Sequence, residues 1–81
     1  MIIESNENIV IDIMRHNELI PHKGVVGGKM GFYDAKEIYI LSNKWVFASF
    51  DDGHLSGKML LEYNVSDKGT ISWKVISSYL N

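Results

Sequence analysis

The residues best suited to proton transfer lie in one short stretch, Asp51-Asp52-Gly53-His54. A histidine beside a carboxylate can act as a general base, because the carboxylate orients the imidazole and stabilises its protonated form. His54 and Asp51 are therefore the candidate catalytic pair, with Tyr63 or Tyr39 as candidate assistants. No strained G-x-S-x-G turn presents a serine nucleophile, so a histidine that only follows a turn explains the same residues more simply. An enzyme is thus the alternative and not the first hypothesis.

Metal and phosphate chemistry find little support in the sequence. His16, His22 and His54 lack the short spacings of metal-binding motifs, and the chain has no cysteine. The glycine-rich segment that begins at Gly24 places Gly28 too early for a phosphate-binding loop and lacks the serine or threonine that would bind magnesium. We therefore expect neither a metal nor a cofactor.

Composition limits the remaining classes of function. The 81 residues, 46% hydrophobic and 22% charged, suit one globular domain spanning residues 1–81. The net charge is −2 and the eight Lys and Arg residues are scattered, which argues against nucleic-acid binding. No run of about 18 apolar residues indicates a membrane span. Without cysteines or a secretory leader pattern, a cytoplasmic location is expected.

One amphipathic helix is predicted near the start of the chain, over residues 5–19. Ser5 or Asn6 can cap it, and Pro21 ends the pattern. The apolar residues that recur at helical spacing are Ile9, Val10, Ile13, Met14 and Ile20.

The rest of the chain has the composition of strands, rich in β-branched and aromatic residues. The predicted strands cover about residues 23–33, 37–42, 45–51, 54–65 and 70–79. The sequence therefore predicts an α+β fold, in which the helix packs on a curved antiparallel β-meander of four to five strands.

Two turns predict the register of the strands. A two-residue turn at Asp52-Gly53 would place Asp51 opposite His54, and a three-residue loop ending at Gly69 would place Val65 opposite Ile71. Both registers place the same set on one face: Val46, Ala48, Phe50, Leu55, Met59, Leu61, Tyr63, Val65, Ile71, Trp73 and Val75.

The opposite face is also apolar. It carries Trp45, Phe47, Leu60 and Ile76, and a two-residue turn at Asn43-Lys44 would add Ile38 and Ile40. One helix can cover only one face, so we expect the other to bind a second copy of the chain. Strong coiling of the sheet, which would let it cover its own second face, is the other interpretation.

Three stretches carry a resemblance to a known superfamily. The segments Trp45-Val46-Phe47-Ala48-Ser49-Phe50, Leu60-Leu61-Glu62-Tyr63 and Gly69-Thr70-Ile71-Ser72-Trp73-Lys74-Val75 resemble the last three strands of cystatin-like and nuclear-transport-factor-two-like domains. The resemblance covers about half of the chain and implies a helix followed by a curved meander. Those domains enclose a pocket with two or three helices, whereas one helix is predicted for this chain.

A second likeness lies in the glycine-rich segment. Gly24-Val25-Val26-Gly27-Gly28 resembles the Gln-Val-Val-Ala-Gly loop of cystatin protease inhibitors, with glycine in place of the glutamine and without the Pro-Trp wedge. It implies cysteine-protease inhibition as a further alternative.

The first hypothesis remains a small non-catalytic module that dimerises and binds a protein, a peptide or an apolar ligand.

Overall fold

The computed structural model describes residues 6–81, which form one helix and one four-stranded antiparallel sheet. The helix α1 spans Asn6–Ile13, and the strands are β1 (Ile38–Ile40), β2 (Trp45–Asp51), β3 (Ser56–Val65) and β4 (Ile71–Leu80). The strands pair in the order of the chain, β1-β2-β3-β4. The predicted α+β meander with an N-terminal helix is therefore confirmed. None of the helices in residues 6–81 is long and apolar enough to cross a membrane.

The helix ends six residues earlier than predicted. After Ile13 the chain tightens into i→i−3 hydrogen bonds, from Arg15 N–H to Asp12 and from His16 N–H to Ile13, before a short 3₁₀ turn at Asn17–Leu19. Isoleucine, valine and asparagine are poor helix formers, so α1 depends on tertiary packing for its stability. Ser5, one of the two predicted caps, lies outside the described residues.

The strand predicted at 23–33 is absent. In that segment the only ladder contact is one bridge, between Gly31 and Asp51. Val26 and Gly27 have φ values of 53° and 77°, and this left-handed backbone turns the chain instead of extending it.

The loop between β2 and β3 is longer than predicted, so the predicted register is wrong by two residues. Asp51 pairs with Ser56 and not with His54, which leaves a four-residue loop. A type I′ turn needs positive φ at both Asp52 and Gly53, but only Gly53 has it, with φ 93°. Asp52 instead accepts hydrogen bonds from the loop's own amides. Because the shift is an even number, every side chain that remains in the two strands keeps its predicted face, whereas His54 and Leu55 leave the predicted strand and lie in the loop.

The register between β3 and β4 is as predicted. Val65 pairs with Ile71, and Gly69 closes the loop with φ 85°. A bulge then follows: Leu61 pairs with Val75 but Leu60 pairs with Ser77, so Ile76 is the extra residue on β4.

The face of the sheet that packs against α1 is called the inner face. Its buried sheet residues form one cluster with Ile9 and Ile13 of the helix and with three residues of the connecting segment, Ile20, Met30 and Phe32. The buried sheet residues are Ile38, Val46, Ala48, Phe50, Met59, Leu61 and Tyr63.

Ile38 and Ile40 lie on the inner face, and their predicted placement on the other face is wrong. Ile38 pairs with Ala48 and Ile40 with Val46, both of which are buried in the core. The physical reason is the turn, in which Leu41 N–H donates to the carbonyl oxygen of Trp45 and leaves three residues in the loop instead of two. One extra residue reverses the face of every side chain in β1.

Candidate interaction surfaces

The opposite side of the sheet, here the outer face, carries an apolar row across all four strands. Tyr39 pairs with Phe47, Phe47 with Leu60, and Leu60 with Ser77 beside the bulged Ile76. We call Tyr39, Phe47, Leu60 and Ile76 the central row. None of the four belongs to the hydrophobic cluster of the inner face or to the residues packed against it.

The outer face remains open to solvent in the single chain. Trp45 is 47% exposed, Ile76 45% and Tyr39 50%, while Phe47 and Leu60 are half-buried. Of the predicted interface residues, the structure therefore places Trp45, Phe47, Leu60 and Ile76 around one surface, and Tyr39 joins them in place of the two isoleucines. The twist of the sheet does not cover this surface.

Polar and charged residues flank the central row on both sides. One flank is formed by Trp45, Glu62 and Lys74, and the other by Ser49, Lys58 and Tyr79. The Lys58 ammonium donates to Ser49 Oγ at 2.8 Å, which holds that lysine along the sheet. Glu62 and Lys74 are register partners as predicted, yet within residues 6–81 the ion pairs closer than 4.0 Å all involve His16. The Glu62 carboxylate is thus available to a group outside the chain.

A groove lies between α1 and the edge strand β1. It has a volume of about 520 Å³, and its apolar lining comes from both elements. The lining residues include Val10, Ile11, Met14, Ala35, Ile38, Tyr39 and Ile40, with Asn6 and Glu7 at the helix start. Tyr39 belongs to this groove as well as to the central row, so the two surfaces adjoin at β1.

The segment from Gly24 to Gly28, here the valine loop, projects an apolar tip into solvent. Val26 is 84% exposed and has φ 53°, a conformation that is rare for a β-branched residue. Gly28 N–H donates to the carbonyl oxygen of Val25 at 2.9 Å and closes the turn. The two ends of the valine loop lie close together, since a Cβ on Gly24 would collide with the Gly28 carbonyl oxygen.

Asp52 joins the valine loop to the loop between β2 and β3. Its carboxylate accepts hydrogen bonds from the N–H groups of Leu55 at 2.6 Å, Val25 at 2.6 Å and His54 at 2.7 Å. These three donors, in that order of effect, hold the pKa of Asp52 below its ordinary value, because they favour the ionised form. Sequence reasoning treated Asp52 only as a turn residue. The signal was the Asp-Gly pair itself, because aspartate readily accepts bonds from amides that follow it.

The candidate pair His54 and Asp51 is not assembled as a catalytic unit. Within residues 6–81 no hydrogen bond or ion pair joins the two side chains, and Asp51 accepts from Gly53 N–H of its own turn at 3.0 Å. His54 is exposed and does not line the groove beside α1. Tyr39 lies on the outer face, and Tyr63 is buried on the inner face. Neither tyrosine adjoins the loop that carries His54.

The other two histidines have structural contacts that the sequence did not reveal. His22 stacks on Phe50 with ring centroids 5.5 Å apart, and its Nε2 lies 3.1 Å from Ser78 Oγ. This contact joins the connecting segment to β4 at one end of the inner face. His16 lies between two carboxylates, 2.7 Å from Glu18 and 3.4 Å from Asp12.

Asp12 also links α1 to β4 through a hydrogen bond. Its Oδ2 accepts a hydrogen bond from Trp73 Nε1 at 2.7 Å, across 61 positions of sequence. In residues 6–81 no three His, Asp or Glu side chains converge as a metal site would require. The polar groups named here on the inner face therefore have partners within the fold, whereas no residue of the central row belongs to the core cluster described in residues 6–81.

Comparison with known proteins gives no relative. No protein-family model matches the chain, and no significant match was found among curated proteins or solved structures.

Proposed function

We propose that this chain is a small non-catalytic interaction module whose outer face binds a second copy of itself. The observation that carries the proposal is the central row, an apolar strip across four strands on the face that α1 does not cover. On a sheet with one solvated face, those positions are ordinarily polar.

The size of the patch supports a modest interface. Strands about 4.8 Å apart and a rise of about 3.4 Å per residue give the central row and its flanks roughly 20 Å by 20 Å. The projected area of the central row and its flanks together is then about 400 Å² per chain, of which the apolar row is roughly a third. Two such faces give about 800 Å² in projection, the size of a weak, transient interface. We therefore expect dissociation in the micromolar range.

A second copy is the favoured occupant because the surface has an apolar row between two flanks that carry charged groups. A strip of apolar residues between two charged flanks matches its own image, as an isologous interface requires. The cysteine-free composition supports placing such a module in the cytoplasm.

Sedimentation equilibrium at micromolar concentration tests the proposal. We expect the wild-type chain to show a monomer–dimer equilibrium and Phe47→Lys to sediment as a monomer, because a charge would then lie in the buried strip. Ile11→Lys is the matched control. Ile11 is 43% exposed on α1, which packs against the inner face, so its substitution should leave the equilibrium unchanged. A wild-type monomer throughout this range would refute the proposal.

The valine loop supports a second candidate, an inhibitor-like module that inserts an apolar tip into the cleft of another protein. The supporting observation is that a strained valine is held in solvent where glycine would be more stable. A left-handed non-glycine residue costs about 1–3 kcal/mol and occurs most often at functional sites.

Papain-type protease inhibition is the assay for this candidate. If it is right, the wild-type chain should inhibit and Val26→Asp should not, while Lys68→Asp in a distant loop should inhibit as the wild type does. Full protease activity at high concentrations of the wild-type chain would end this candidate. Val26→Gly should also raise the free energy of unfolding by about 1 kcal/mol, because glycine accepts positive φ without strain.

A further inference from the structure

The distribution of charge around the central row defines how two copies would pack, an inference that depends on the proposed function. Lys58, Leu60 and Glu62 alternate along β3 and all point to the outer face. Lys58 and Glu62 are about 13 Å apart along the strand, too far to pair with each other. On β3, each chain therefore presents one positive and one negative group at equal distances on either side of Leu60, and Lys74 of β4 lies beside Glu62.

In a face-to-face dimer the two-fold axis lies in the plane between the two sheets. Rotation about an axis along the central row keeps each strand opposite its own copy but exchanges the two flanks. Leu60 then meets the partner's Leu60, and the flank that carries Glu62 meets the flank that carries Lys58. Two oppositely charged contacts form, related by symmetry.

An axis along the strands gives a poorer match. It would place Phe47 opposite the partner's Leu60, but Glu62 would face Trp45 and Lys58 would face Ser49, so neither charge would meet its opposite. Complementary charges across an interface favour the arrangement in which they meet over arrangements in which they do not.

We propose that the dimer forms by face-to-face packing about a two-fold axis along the central row, with Glu62 of each copy paired to Lys58 of the other. The flanks add a second complementary contact. Lys74 on one flank faces Tyr79 on the other, where an ammonium can lie against the ring. Sheets that pack in this way keep their strands within about 30° of alignment, at a spacing of about 10 Å.

Two charge-reversed variants test this geometry by selective pairing. Lys58→Glu gives a chain with two acidic groups at these positions, and Glu62→Lys gives a chain with two basic groups. Each variant alone should dimerise about tenfold more weakly than the wild type or worse, because like charges then face each other twice. Mixed in equal amounts, they should form a heterodimer, since every acidic group then meets a basic one.

The double variant Lys58→Glu with Glu62→Lys should also recover the homodimer, to within about threefold of the wild-type dissociation constant on the scale of such charge swaps. Lys68→Glu, a charge reversal in the loop after β3, is the matched control and should dimerise like the wild type. Recovery in the mixture also shows that both single variants are folded.

The outcomes separate the two proposals. A monomeric wild-type chain refutes the dimer itself. A dimeric wild type whose single variants dimerise normally, or whose variants fail to recover when mixed, refutes the axis along the central row and leaves the outer face as an interface in some other arrangement.

Discussion

Leu60 and Leu61 are neighbours on one strand, yet they lie in different environments. Leu61 is fully buried beneath the helix, whereas Leu60 is half-buried on a face that α1 does not cover. The central row is built from the same types of residue as the buried inner face. What separates them is that α1 and three residues of the connecting segment, Ile20, Met30 and Phe32, pack on the inner face.

This difference shows that an apolar residue in a strand indicates a surface that is covered by something. The covering element can be part of the same chain or part of another molecule. The inner face has its partner within the chain, and its polar groups are hydrogen-bonded to the elements that cover it. The outer face has the pattern of a buried surface without the covering element. Each prediction below compares a residue of one region with a matched residue of the other.

The largest effect is expected from truncating the two leucines. Leu61→Ala should lower the free energy of unfolding by about 2–5 kcal/mol, because it leaves a cavity in the core. Leu60→Ala should lower it by less than about 1 kcal/mol in a dilute, monomeric sample, since little buried contact is lost. Urea unfolding of both variants measures this. Equal losses would mean that the two faces do not differ as described.

The next effect concerns pH and the loops at one end of the sheet. The folded state lowers the pKa of Asp52, so its contribution to stability is present above the unfolded value, near 3.8, and is lost as the pH falls toward the lowered folded value. Asp52→Asn should weaken the fold at neutral pH and reduce this acid-dependent loss.

Asp51→Asn is the control for this prediction, because the Asp51 carboxylate accepts a bond within its own turn, and only the Asp51 backbone pairs with another segment. Thermal unfolding from pH 2 to pH 7 distinguishes the two variants. An unchanged acid profile in Asp52→Asn would contradict the role assigned to the three amide donors.

The register of two strands could be predicted from the sequence where the residues of the turn alone determined its length. Gly69 required positive φ, and the loop that it closes determined the register of β3 and β4. The same reasoning failed at Asp52, because its carboxylate binds the amide of Val25, 27 positions earlier in the chain. The prediction also failed for the turn that contains Lys44. This turn has three residues instead of two, and the extra residue moves Ile38 and Ile40 to the inner face.

The candidate surface was predictable in part for the same reason. Trp45, Phe47 and Leu60 follow from strand alternation, which survives any even error of register. Tyr39 replaced the two isoleucines because β1 depends on a turn whose length the sequence left open. Nothing local indicated that Val26 would adopt a left-handed conformation, since that depends on the close contact between Gly24 and Gly28.

A smaller effect is expected from the two tyrosines that lie on opposite faces. Tyr63 is buried, and its hydroxyl donates to the Ser42 carbonyl oxygen at 3.0 Å, so Tyr63→Phe should cost about 1 kcal/mol. Tyr39→Phe should cost nothing measurable, because Tyr39 is half exposed on the outer face.

Alkaline titration sharpens this comparison. Burial raises the pKa of Tyr63 above its ordinary value of 10.0, so its contribution is present below that value and is lost as the pH rises through the folded one. Stability should therefore fall above about pH 10 in the wild type and in Tyr39→Phe, and fall less in Tyr63→Phe. The same alkaline loss in all three chains would contradict this assignment.

The most direct measurement of the central claim is an isotope-filtered NOE experiment on a mixture of ¹³C-labelled and unlabelled wild-type chains. We expect intermolecular contacts between the Leu60 methyl groups of one copy and the Leu60 and Phe47 side chains of the other. Contacts confined to the edge of β4, or an absence of intermolecular contacts at millimolar concentration, would contradict the claim that the outer face is where this chain meets its partner.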